Sequence, residues 1–247
     1  RDINMPDKVK CRTEENANRP VIADSEFVLR VKKAQELMRQ QGIDILLAYG
    51  NEAEPQFQRY FSDYWPSFES AGVIMAADGG PLLLIGPESM TFACDRSRIR
   101  DIRRLAAFRE SSNPEYPGHI MQTFADVIED ISRNEKPKRL AIAGYNLMPH
   151  YLYEELKESL KRFPDIEIVR GDALVMELRM VKSPAEIECM RHAGSITAQA
   201  MDYVIERIRP GMTELQVRGL ALGRMHELGA ENEAYPTWIL AGHGGNQ

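Results

Sequence analysis

The sequence predicts an α/β protein: a mixed-sheet domain over residues 21–170, then the opening of a second, α+β domain over 171–247. Three observations predict it. Short apolar runs alternate with amphipathic helical stretches through the first part, the pattern of a sheet covered by helices. Two of those runs flank a glycine-rich turn, which makes the sheet mixed rather than all-parallel. Beyond Gly171 the strand pattern stops and helical periodicity takes over.

Residues 1–20, "RDINMPDKVKCRTEENANRP", are polar and unpatterned and read as an N-terminal arm. "DSEFVLRVKKAQELMRQQGID" then sets Phe27, Val31, Ala34 and Met38 on one helical face. Gly42 closes that helix, as glycine does at a C-terminal cap. "DILLAYG" reads as a short buried strand. The next stretch carries Phe57, Tyr60, Phe61, Tyr64, Trp65 and Phe68, read as core first and as a binding rim or subunit contact second. "AGVIMAADGGPLLLIG" reads as a hairpin turning at Asp78-Gly79-Gly80, residues that tolerate the positive φ of hairpin turns. "RRLAAF" is a strand, "HIMQTFADVIEDISRN" a helix, "KRLAIAGY" a strand, "PHYLYEELKESLKRF" a helix and "DIEIVRG" a strand. Strands apolar on both sides require helices on both faces of the sheet.

The second domain begins near Gly171 with a long helix. Ser183 caps its amides, Pro184 suits the first helical position, and Glu186 completes an S-x-x-E capping box. Ile187, Met190, Gly194, Ala198, Met201, Ile205 and Ile208 form its apolar stripe, with Gly194 and Ala198 allowing a close approach to whatever it packs on. Pro210-Gly211 stops the helix. Thr213 and Gln216 form a second capping box, opening a helix that ends near Gly229. "AYPTWILAG" reads as a strand. With no visible partner for it, the domain reads as unfinished.

The net charge of −6 excludes the broad basic footprint of a general nucleic-acid binder. The densest basic run, Arg96, Arg98, Arg100, Arg103 and Arg104, is interleaved with Asp95 and Asp101 and reads as a locally paired surface. Cys11, Cys94 and Cys189 are far apart and form no C-x-x-C pair, so neither a disulfide framework nor a zinc knuckle is indicated. A reducing compartment fits that usage. No apolar run reaches the roughly 18 residues of a membrane span, and no signal peptide is recognised. The expected location is the cytoplasm, with no membrane partner.

The chemistry-bearing residues are sparse. None of the five histidines makes H-E-x-x-H or another close metal-ligand spacing. His192 reads as a solvated surface residue, His226 as partly buried and satisfied, and His243, in "AGHGGNQ", as a turn or a ligand-facing loop. There is no G-x-S-x-G elbow and no phosphate-binding loop. Glu231 and Glu233 read as a solvated loop. Taken by themselves, the residues yield no catalytic constellation and no metal ligand set.

The second segment nonetheless resembles the creatinase, aminopeptidase P and prolidase family. Its pattern R-x-x-K-S-P-x-E-I-x-x-M-R-x-A is met by Arg179, Lys182, Ser183, Pro184, Glu186, Ile187, Met190, Arg191 and Ala193. The I-x-P-G-M-T-E pattern is met by Pro210, Gly211, Met212, Thr213 and Glu214, and Gly229, Ala230 and Gly242 fit the stretch leading to S-G-x-N, with Ala241 in place of the serine. "RYFSDY", Arg59 to Tyr64, is similar to the R-Y-L-T-G-F of the family's N-terminal domain, with Asp63 where glycine is usual.

The resemblance implies a creatinase-type N-terminal domain followed by the start of a "pita-bread" catalytic domain. It implies hydrolysis of peptide bonds next to proline, with two divalent metal ions, manganese among them, in the complete enzyme. The family's metal ligands lie beyond the S-G-x-N stretch, so none is assigned to these residues. Tyr235, Trp238 and His243 are placed beside the pocket as substrate-binding residues. His243 comes too early in the motif to be the family's own substrate-contacting histidine. A peptide substrate and a homodimer or higher homo-oligomer are implied. The alternatives within the same fold are a creatinase-like hydrolase without metal and a non-catalytic peptide- or protein-binding module.

Overall fold

The computed structural model describes residues 19–67, 69–110, 118, 120–133 and 136–242. They form two compact units: one spans Ala23–Val181, and the other joins the described residues before Ala23 to Lys182 onward.

The Ala23–Val181 unit is built on a six-stranded sheet of β1 (Ile45–Gly50), β2 (Ala71–Ala76), β3 (Leu82–Ile85), β4 (Ile102–Arg104), β5 (Arg139–Ala143) and β6 (Glu167–Arg170). The order is β4-β3-β2-β1-β5-β6. β2 runs antiparallel to β1 and β3, while β1–β5, β5–β6 and β3–β4 are parallel. The sheet is mixed because β2 and β3 are joined by the tight Asp78–Gly80 turn, where Gly79 takes φ +118°. The parallel pairs are joined through helical crossovers.

Period-2 alternation sends β1 side chains into two cores. Leu46 and Ala48 face α1 (Asp24–Gln41), α2 (Gln56–Ser62), α3 (Met90–Arg96) and α6 (Asp172–Met180). Ile45, Leu47 and Tyr49 face α4 (Phe124–Ser132), α5 (His150–Leu160) and a 3-10 turn at Ala106–Phe108. Both faces are covered, as apolar-on-both-sides strands require.

The α1 face is the expected one: Phe27, Val31, Ala34 and Met38 are buried, and Gly42 caps the helix in the left-handed conformation at φ +65°. α1 also buries two polar residues. Gln35 Nε2 donates to the carbonyls of Ala76 (3.0 Å) and Gly79 (2.8 Å), tying the helix to the hairpin. Arg30 lies between the rings of Phe27 and Tyr60, 4.8 and 4.5 Å from their centroids.

The first part of the aromatic stretch forms α2, and Phe57, Phe61 and the following Tyr64 are buried, while Phe68 lies outside the described residues. Asp63, where the family pattern favours glycine, sits at φ +59° and caps α2. Aspartate tolerates that conformation better than most residues, and Arg98 Nε donates to its carboxylate at 3.0 Å.

The first compact unit runs on through α6 to Val181, because α6 buries Leu174 and Val175 in its core. Asp172 at the start of α6 also accepts hydrogen bonds from the Gly144 and Tyr145 amides (3.0 and 3.3 Å). Two sequence expectations are corrected. The apolar stripe of α7 (Pro184–Arg207) is not its packed face: Ile196, Ala200 and Val204 are buried, while Met201 and Ile205 are 59% and 63% exposed. The packed face lies about 100° round the helix from the stripe, one residue's rotation. Residues 235–241 form no strand. A strand needs a ladder partner, and none stands beside this segment among the described residues.

Both predicted capping boxes are present. Ser183 Oγ accepts from the Glu186 amide (3.1 Å) while Glu186 accepts from the Ser183 amide (2.8 Å). Thr213 and Gln216 do the same at the head of α8 (Glu214–Glu227). No helix among the described residues is long and apolar enough to cross a membrane.

Candidate functional site

The site residues expected from sequence lie in the unit that begins at Lys182. There α7 and α8 meet through Val204, Val217 and Ala221, with Met212, Leu220 and Ile239 packed around them. Ile239 is the apolar anchor of the segment after α8, and three polar anchors hold the rest of it.

Glu233 is the first. Its carboxylate accepts from Arg218 Nη2 (3.0 Å) and from the Thr237 amide (2.7 Å), folding residues 233–237 into a closed turn. The Thr237 hydroxyl and amide, then the Arg218 guanidinium, hold this carboxyl below the usual carboxylate range. Glu214 is the second: its Oε1 accepts from the Ala241 amide at 2.7 Å. His226 is the third, with Nδ1 3.0 Å from the Ala230 carbonyl at the end of α8. It is exposed rather than partly buried, but one ring nitrogen is satisfied as expected. Glu231 pairs with Arg19 at 2.9 Å.

Among the large side chains that these anchors leave outside, with Leu240, are two aromatic ones. Tyr235 and Trp238 are 67% and 66% exposed, their rings 5.3 Å apart and inclined at 66°. Two aromatic faces near right angles offer an apolar corner that a ring or an aliphatic side chain can fill. Two of the three expected substrate-binding residues are thus brought together; the third, His243, lies outside the described residues. Glu214, read in the sequence only as part of a motif, and Arg218, not singled out at all, hold the segment. Their i,i+4 spacing on the first turns of α8, ahead of a loop with its own acidic residues, was the available signal.

The described residues do not fit a two-metal site. Among them there is no group of three or more histidine, cysteine, aspartate or glutamate side chains able to hold an ion. Glu233 is committed to Arg218 and Thr237, and Glu231 to Arg19. No catalytic step is therefore derived through a metal on these residues.

Comparison with known proteins matches residues 30–181 to the Creatinase/Prolidase N-terminal domain and residues 188–246 to Metallopeptidase family M24. The Xaa-Pro dipeptidase of Pyrococcus horikoshii is 26% identical over 216 residues, 87% of this chain and 52% of that protein. The Xaa-Pro aminopeptidase of Escherichia coli K12 is 39% identical over 72 residues, 29% of this chain and 16% of that protein. Among solved structures, the prolidase from Pyrococcus furiosus superposes with a TM-score of 0.65 at 22% identity, covering 86% of this chain and 57% of that one. The chain spans about half the length of the curated relatives it matches along most of its own length. The N-terminal domain match alone takes in well over half of the chain, so this protein belongs to the creatinase/aminopeptidase P/prolidase family.

Proposed function

We propose that the protein is a metal-dependent hydrolase of peptide bonds next to proline. In it, this chain supplies the creatinase-type N-terminal domain and the opening helices of the M24 domain. One observation carries the reading: the two family matches follow one another in order along a single chain, at 30–181 and 188–246.

In this reading Tyr235 and Trp238 bind substrate. Their corner is apolar and open, and a proline ring is rigid and apolar, so it can fill the corner at little cost in conformational entropy. His243, which lies outside the described residues, is assigned to substrate binding with them. Glu233, Arg218 and Glu214 are positioning residues, holding the backbone that carries the corner. The metal ions, manganese foremost, supply the activated water and polarise the scissile carbonyl when bound; their ligands come from outside the described residues. The protein works in the cytoplasm on peptides, as a homodimer or higher homo-oligomer.

The test is hydrolysis of Xaa-Pro peptides by the purified protein with manganese added, and again after chelation. Chelator-sensitive cleavage is expected. Tyr235→Ala and Trp238→Ala should each raise KM for a proline peptide several-fold, with a smaller effect on kcat. No cleavage of any Xaa-Pro peptide with metal present overturns the reading; unchanged KM in both variants overturns the role of the corner alone.

A further inference from the structure

Away from the α7–α8 unit, the Ala23–Val181 unit buries a carboxyl that no ion pair among the described residues accounts for. Glu69, just before β2, is 6% exposed, and neither of its carboxyl oxygens has a hydrogen-bond partner among the described residues. It faces Gly86, at the end of β3, across a very narrow gap. A side chain at Gly86 would collide with Glu69 Oε2, with the backbone oxygen of Phe108 (2.5 Å) and with Glu88 Oε2 (2.9 Å). Three oxygens from three separate segments therefore converge on one glycine. If both carboxyls are ionised, all three are acceptors and two are anions. A proton on one of them turns an acceptor into a donor and removes the repulsion.

We propose that Glu69 is a proton-gated latch: a proton on its carboxyl lets the Gly86–Ser89 turn and the Phe108 carbonyl close on the start of β2, and its loss releases them. The groups facing Glu69 support this. Glu88 comes from the β3–α3 turn and Glu110 from beyond the 3-10 turn, and no described cation is among the groups that shift it. Tyr64, following α2, is a buried phenol whose hydroxyl has no well-formed hydrogen bond. The Ser89 hydroxyl, near both Tyr64 and Glu69, offsets the effect only in part. Burial first, then the two neighbouring glutamates, pushes the Glu69 carboxyl up from 4.5 to about 7.

The sign follows by linkage. Between pH 4.5 and about 7 the folded chain keeps a proton that the unfolded chain has lost, so stability falls as pH rises through that window and levels off above it. The rise in affinity corresponds to on the order of 10²-fold in the closing equilibrium.

The test is hydrogen exchange of the full chain across pH 5 to 8.5, corrected for intrinsic rates. It compares the parent with Glu69→Gln, whose amide keeps a donor in place at every pH. The parent's amides at residues 86–90 and 105–110 should open on the order of 10²-fold more readily at high pH, while the variant's stay flat. Infrared difference spectra of the unmutated protein supply a second readout: a protonated carboxyl band present at pH 5.5 and lost by pH 8.5. Equal pH dependence in parent and variant, or absence of that band, overturns the latch.

Discussion

Replacing Gly194 by alanine asks which face of α7 is covered. Gly194 lies mid-helix on the apolar stripe, and a Cβ built there meets nothing within 4 Å among the described residues. With no steric cost, the substitution should return the helix-interior penalty of glycine, about 0.5–1 kcal/mol. That is roughly a two- to five-fold decrease in local opening. Hydrogen exchange of the α7 amides reads it directly, without requiring the two units to unfold together. Gly144→Ala is the contrasting control. Gly144 takes φ +85°, and its Cβ would stand 2.7 Å from the Tyr49 carbonyl oxygen and 3.3 Å from the Phe57 ring. Tyr49 belongs to β1 and is held opposite Gly72 of β2, which restrains that oxygen from retreating. Backbone strain of about 1–3 kcal/mol and overpacking of about 1–3 kcal/mol together predict a loss of about 2–6 kcal/mol in urea unfolding. A Gly194→Ala variant that loses more than about 1 kcal/mol would refute the open-face reasoning, because only a close neighbour can penalise one methyl group there.

Ser183→Ala should cost about 1 kcal/mol, with exchange rising at the first turn of α7, since it removes the acceptor for the Glu186 amide. The head of α4 should be acid-sensitive. The Thr123 amide, its hydroxyl and then Arg162 hold the Asp126 carboxyl below its ordinary 3.8. Its contribution is therefore complete above that value and lost as pH falls through the lowered one. Asp126→Asn should flatten the parent's loss of α4 protection in acid; an unchanged acid profile would show that the box carries no charge-dependent stability.

Much of the fold was legible because its signals are local. The capping boxes at Ser183 and Thr213 need only residues three apart, and both formed as expected. Gly42 ended α1 because an apolar helical face stops there and the next residue must turn left-handed. The β2–β3 hairpin followed from two apolar runs around Asp78-Gly79-Gly80. The family could likewise be recognised from ordered motifs. The open aromatic corner of Tyr235 and Trp238 could be named residue by residue, but its geometry could not.

Tertiary structure decided what depends on partners distant in the chain. Periodicity shows that α7 carries apolar residues on more than one face, but only packing against α8 selects Val204 over Met201 and Ile205. β-Like composition at "AYPTWILAG" does not make a strand, because a strand's backbone bonds lie on a neighbour that the segment itself cannot supply. Nothing in the sequence around Glu69 marks it for burial. Its burial exists only where β2, the turn after β3 and the Phe108 carbonyl converge, and that convergence of three distant segments is a property of the packed sheet rather than of any stretch of residues.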